Sequence, residues 1–240
     1  MQIAFVVYPG MTVLDAIGPY EVFNCLPSRE LRFVWKKVGP VVADSGRLVL
    51  GATHTFEETP QPDLVIVPGS TADTPTVMAD GALLEWLRAV HPNTRFTTSV
   101  CSGAMILAAA GLLEGHRATT HWAAMPMLQR FGAQAERDER VVQSGKIWTA
   151  AGVSAGIDLA LRLVEALEGQ DEAEIAQLLI EYDPQPPFDA GHLSRARPEI
   201  RKVAQRRLAA AGTNPRALLS VPTILLRRWS QTLFRTRRRG

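Results

Sequence analysis

The chain has 240 residues, 46% hydrophobic and 21% charged, with a formal net charge of +2. This composition excludes a wholly disordered chain or a collagen-like fibre, and its length suits one large domain or a domain with an appendage. No apolar run approaches the ~18 residues of a transmembrane helix, and the opening MQIAFVVYPG lacks the basic leader and cleavage site of a signal peptide. Two cysteines, Cys25 and Cys101, with no CxxC pair, make neither a disulfide framework nor a zinc site, so a soluble cytoplasmic protein with free thiols is expected.

Residues 2–8 form an apolar, β-branched run closed by Pro9-Gly10, a buried strand and its turn. The spacing over 13–26 predicts a helix, with Gly18-Pro19 resetting it near its start. Residues 31–38 read as a second strand, and 41–50 as a hairpin turning at Asp44-Ser45-Gly46. DLVIV at 63–67 is a compact strand stopped by Pro68-Gly69; 82–90 is helical and 95–100 is the next strand. A helix over 102–110, capped by Gly111, follows Cys101. Then come a short strand at 117–120, a helix at 122–131, strands at 141–143 and 147–150, and amphipathic helices at 154–167 and 172–182, before the Pro/Gly-rich stretch 183–191. Strands alternating with helices imply an α/β fold, a parallel sheet covered on both faces.

The small net charge hides an asymmetry. Eleven of the 26 basic residues and none of the 24 acidic ones lie in 201–240, so the body carries −9 and the tail +11. Such a tail can remain solvated, fold back on its own body, or touch an anionic surface. Leu225, Leu226, Trp229 and Leu233 share one helical face among arginines, which suits packing on the body, a dimer mate or a membrane surface. Nucleic-acid binding is not expected.

The segment 95–111, RFTTSVCSGAMILAAAG, carries the clearest chemical signal. A strand ends at Val100, one cysteine follows, and Ser102-Gly103-Ala104 opens a helix, the layout of a nucleophile elbow at the carboxyl edge of a sheet. A helix N-terminus favours the thiolate. Taken alone, a cysteine is more often an inert small hydrophobe; its place at a strand–helix junction favours a reactive thiol. Asp15, in the apolar stretch TVLDAIGPYEVF, is a candidate proton-transfer partner or an ordinary helix-start carboxylate. His121 is a second acid–base candidate or a structural histidine. Pro68-Gly69-Ser70 can present backbone N–H groups as an oxyanion hole or be only a turn. His54, His91, His116 and His192 show no metal-ligand spacing, and no glycine-rich phosphate loop occurs.

Together YPGMTVLDAIGPYEVF (8–23), DLVIVPG (63–69), TTSVCSGAMILAAAGLLEGHRATTHW (98–122) and TAAGVSAGIDLALRLVE (149–165) resemble the ThiJ/PfpI branch of the class I glutamine amidotransferase-like superfamily, in its isonitrile hydratase-like subgroup. The resemblance covers about residues 1–190 and leaves 191–240 as a basic, partly helical extension. It implies a flavodoxin-like three-layer sandwich with a mostly parallel central sheet, a homodimer, a small-molecule substrate and no cofactor or metal. It implies catalytic roles for Cys101 as nucleophile, Asp15 as acid–base carboxyl and Ser102 as a hydroxyl beside them, with Gly69, Ser70 and His121 lining the substrate and oxyanion site. The implied reaction adds water to an isonitrile through a Cys101 thioimidate, giving an N-substituted formamide. Two positions depart from the pattern: Ser70 stands for a second glycine, and Ser102 for threonine. Competing readings are a glyoxalase, deglycase or hydrolase using the same thiol, a redox-stress protein oxidised at Cys101, and the ligand-sensing half of an AraC-type regulator. The last is disfavoured because only some 50 residues follow the body.

Overall fold

A computed structural model describes residues 1–211. In chain order it comprises β1 (Gln2–Val6), α1 (Val13–Asn24), β2 (Glu30–Val34), β3 (Gly39–Val42), β4 (Val49–Ala52), β5 (Leu64–Val67), α2 (Thr74–Met78), α3 (Gly81–Val90), β6 (Phe96–Val100) and α4 (Gly103–Ala109). These are followed by β7 (Arg117–Ala118), α5 (Met125–Arg130), β8 (Gln134–Ala135), β9 (Val141–Ser144), β10 (Ile147–Ala150), α6 (Ala155–Glu168), α7 (Gln170–Leu179) and α8 (Pro198–Ala211). The main sheet has six strands in the order β2-β1-β5-β6-β10-β9, all parallel except the edge strand β9.

Helices cover both faces, making three layers. On β1 and β5, Ala4, Val6, Val65 and Val67 join the layer of α3 and α4, while Ile3, Phe5, Leu64 and Ile66 join that of α1 and α6. Both faces of these central strands are buried, so their sequences are unbroken apolar runs rather than alternating patterns. Among the described residues no helix is long and apolar enough to cross a membrane.

Several expected boundaries move for local reasons. The strand expected over 31–38 ends at Val34, because Trp35 leaves the ladder to pack on Phe56 and Tyr8 with ring centroids 5.8 and 6.1 Å away. Helix α1 runs through Pro19 rather than being reset by it. Pro19 lacks the N–H that would bond the Asp15 carbonyl one turn earlier. The strand expected at 117–120 keeps only two residues. Thr119 N–H donates to Thr149 Oγ1 at 2.8 Å and Thr120 Oγ1 to the Cys101 carbonyl at 2.8 Å, so these groups brace the elbow instead of extending β7. Helix α2 and strand β8 were not expected, and α8 lies within the extension read as partly helical. The tail face at Leu225, Leu226, Trp229 and Leu233 lies outside the described residues.

The elbow is built on close backbone approach. A Cβ on Gly103 would fall 2.1 Å from the Val67 carbonyl oxygen, and one on Gly69 would fall 2.5 Å from both Ser102 N and Oγ. Gly103→Ala is therefore expected to destabilise the protein by about 3 kcal/mol or more, because backbone rather than a flexible side chain must yield. Urea unfolding measures it, and a loss below ~1 kcal/mol would show that the β5 and β6 exits separate freely.

Candidate active site

Three chain segments meet at the carboxyl edge of the sheet: the start of α1, the loop after β5 and the elbow after β6. Thr12 N–H donates to the Gly69 carbonyl at 2.9 Å, and Gly69 N–H donates back to Asp15 Oδ2 at 2.9 Å. This reciprocal pair ties the helix start to the loop and holds Asp15 in place. The Asp15 side chain is fully buried, and its Oδ1 has no nitrogen or oxygen partner. Burial pushes the Asp15 pKa up to about 7, against the lowering effects of the Gly69 N–H and of hydrogen bonding to Cys101; the Asp44 carboxylate adds to the rise.

Cys101 sits at φ +57°, a left-handed conformation that a non-glycine residue adopts at a cost. The fold over-determines it. Its N–H donates to the Ala150 and Ala151 carbonyls at 3.1 and 2.9 Å, and its carbonyl accepts from Thr120. The thiol is buried, with 6% of the residue exposed. The helix-terminus expectation of a thiolate is overturned. Backbone N–H groups of Ser102 and Val153 and the Ser102 hydroxyl do favour the anion, yet burial, followed by the charge of Asp15, pushes the thiol pKa up to about 12. Desolvation outweighs a few oriented donors. At neutral pH the sulfur keeps its proton beside a carboxyl near half-titration.

Ser102 and Ser70 form a polar brace under this pair. Ser102 Oγ accepts from Ser70 N–H at 3.0 Å, donates to the Ser70 carbonyl at 3.1 Å and lies 2.7 Å from Thr74 Oγ1. Ser70 Oγ in turn meets Thr74 Oγ1 at 2.9 Å. Thus the Gly69 and Ser70 amides, expected to face an oxyanion, are both engaged within the protein, on Asp15 and Ser102 respectively. The N–H groups that act on the sulfur come from Ser102 and Val153. His121 lies against the loop after β10: a Cβ on Gly152 would fall 2.7 Å from its Cδ2. Its Nδ1 accepts from Ala123 N–H at 3.3 Å, leaving the proton on Nε2, and burial lowers its pKa.

Sequence reasoning missed three contributors. Tyr8 is fully buried and donates to the Pro68 carbonyl at 3.0 Å; burial and the Asp15 charge raise its pKa, against the lowering effect of the Ser70 and Thr74 hydroxyls. Its signal was a phenol at the carboxyl end of a buried strand. Thr74 lies in the unexpected α2, and Val153 acts through its backbone, which no side-chain pattern betrays. A separate cavity of about 360 Å³ lies between Trp35, Val42 and Asp73–Asp80, without Cys101 in its lining. Among the described residues no group of three or more potential metal ligands occurs.

Comparison with known proteins matches the DJ-1/PfpI family over residues 1–166. An isonitrile hydratase from Pseudomonas putida is 43% identical over 209 residues, covering 87% of this chain and 90% of that protein. The HTH-type transcriptional regulator CdhR of Pseudomonas aeruginosa is 31% identical over 69% of this chain, which spans half of the regulator. The crystal structure of a ThiJ/PfpI family protein from Pseudomonas syringae superposes with a TM-score of 0.84 at 39% identity, covering 91% of this chain and 89% of that one. Sequence, fold and elbow geometry agree: the chain belongs to the DJ-1/PfpI family.

Proposed function

We propose that the protein is an isonitrile hydratase that adds water to R–NC and releases an N-substituted formamide. One observation carries the reading: a buried thiol and a carboxyl that holds a proton near pH 7 lie side by side. The similarity to the Pseudomonas putida enzyme supports the substrate class.

In the proposed reaction the Asp15 carboxylic acid delivers its proton to the terminal isonitrile carbon, which becomes electrophilic. The Cys101 sulfur attacks that carbon and its own proton passes to the Asp15 carboxylate, giving the thioimidate R–N=CH–S–Cys101. Water then adds to the same carbon as Asp15 relays its proton to nitrogen. The resulting R–NH–CH(OH)–S–Cys101 collapses to R–NH–CHO and the free thiol. Atoms balance without a redox partner or cofactor. The Ser102 and Val153 N–H groups stabilise the sulfur when it leaves as an anion. Ser102, Ser70, Thr74 and Tyr8 keep the elbow and the β5 loop in register. We assign His121 to the pocket wall.

A redox-sensor reading is weaker, because oxidation-prone cysteines are exposed and low in pKa, the opposite of Cys101. The test is conversion of cyclohexyl isocyanide to its formamide by chromatography across pH. Turnover is expected, with kcat/KM falling as pH rises through about 7, where Asp15 loses the proton that starts the reaction. Methylglyoxal consumption without isocyanide turnover would replace this reading with glyoxalase or deglycase chemistry.

A further inference from the structure

Helix α7 is amphipathic on two opposite sides. Ala173, Ala176 and Ile180 pack into the layer it shares with α6. Ile175, Leu178 and Leu179, at i, i+3 and i+4, point the other way with 50%, 79% and 64% exposure. Around them stand Asp171, Glu172, Glu174 and Glu181, and no Lys or Arg occurs from Gln170 to Asp183. An apolar stripe of three large side chains in an acidic frame is a surface built to be covered.

We propose that its occupant is the chain's own C-terminal segment, residues 221–239. That segment holds Ile224, Leu225, Leu226, Trp229, Leu233 and Phe234 among Arg227, Arg228, Arg235, Arg237, Arg238 and Arg239, with no acidic residue. Apolar groups thereby meet apolar groups, and arginines meet a helix that carries acidic residues and no Lys or Arg. The nine residues 212–220 that separate the segment from α8 span roughly 30 Å when extended, which sets how far from the end of α8 the segment can dock. A second copy fits less well, since pairing two α7 faces sets carboxylates against carboxylates. An anionic membrane suits the arginines but repels the acidic frame of α7.

Disulfide trapping in the full-length chain tests the contact. In a Cys25→Ser background, Leu178→Cys with Trp229→Cys is compared with Glu85→Cys with Trp229→Cys, Glu85 being an exposed residue of α3 on the opposite face of the sheet. Under mild oxidation the α7 pair is expected to close within one chain about tenfold faster than the α3 pair, because docking raises the effective concentration of the thiols. Equal rates, or crosslinks only between chains on non-reducing gels, would overturn the proposal, the latter in favour of a second copy. Hydrogen exchange provides an independent arm. Amides of 221–239 are expected to exchange about fivefold faster in Ile175→Asp than in wild type, as lost docking removes protection. Unchanged exchange would overturn the proposal. Exchange that slows only on adding phosphatidylglycerol vesicles would overturn it in favour of a membrane.

Discussion

Cys101→Ala is expected to lower isonitrile turnover by about four orders of magnitude or more, because the covalent route through sulfur is lost. The effect should fall on kcat with the fold intact: the thiol is small, and Thr120 and the carbonyls of Ala150 and Ala151 hold the backbone at this position whatever its side chain. Burial pushes the wild-type thiol pKa up to about 12, and in the proposed mechanism the thioimidate forms once Asp15 has protonated the substrate carbon. Rapid acid quench followed by intact mass measurement should therefore trap one isonitrile equivalent on the wild-type protein and none on Cys101→Ala. Substantial turnover by Cys101→Ala would eliminate covalent catalysis and leave direct hydration as the mechanism.

Asp15→Asn is expected to have two opposite effects. Turnover should fall by about 10²–10⁴, the usual worth of a positioned general acid and base. Stability above neutral pH should rise. The folded protein retains the Asp15 proton between pH 3.8 and about 7, where the unfolded chain has already released it. Because the folded-state pKa is raised, this site's stabilising contribution is complete below the unfolded value and is lost as pH rises through about 7. Above that, the fold holds a buried carboxylate at a cost on the order of 4 kcal/mol, at about 1.4 kcal/mol per tenfold change in proton affinity. Asparagine removes this cost while its amide oxygen still accepts from Gly69 N–H. Urea unfolding of both proteins at pH 5 and pH 9 should show the variant gaining more on wild type at the higher pH. A difference that does not change with pH would mean that Asp15 ionises normally in the folded protein.

Local patterning made the sheet legible. DLVIV and the first strand are so continuously apolar that only burial on both faces suits them, and the Val-Cys-Ser-Gly junction marks a strand turning directly into a helix. The same logic located Asp15, a carboxyl in an apolar helix start. Short elements were less legible. The β7–β8 pair is two residues long on each side, and Thr119 and Thr120 spend their hydrogen bonds on distant groups instead of on a ladder. No pattern within the segment reports such long-range partners.

Residue order alone thus determined which groups can carry chemistry and that they arrive at one edge of a parallel sheet, because periodicity and chain direction are local properties. Protonation and hydrogen-bond pairing were decided by the tertiary structure. The helix start predicts a thiolate, but burial against Asp15 keeps the thiol protonated. The Gly69-Ser70 amides suit an oxyanion hole, but the approach of α1 and α4 commits them to Asp15 and Ser102. Both outcomes depend on desolvation and on partners tens of residues away, which exist only once the layers have packed.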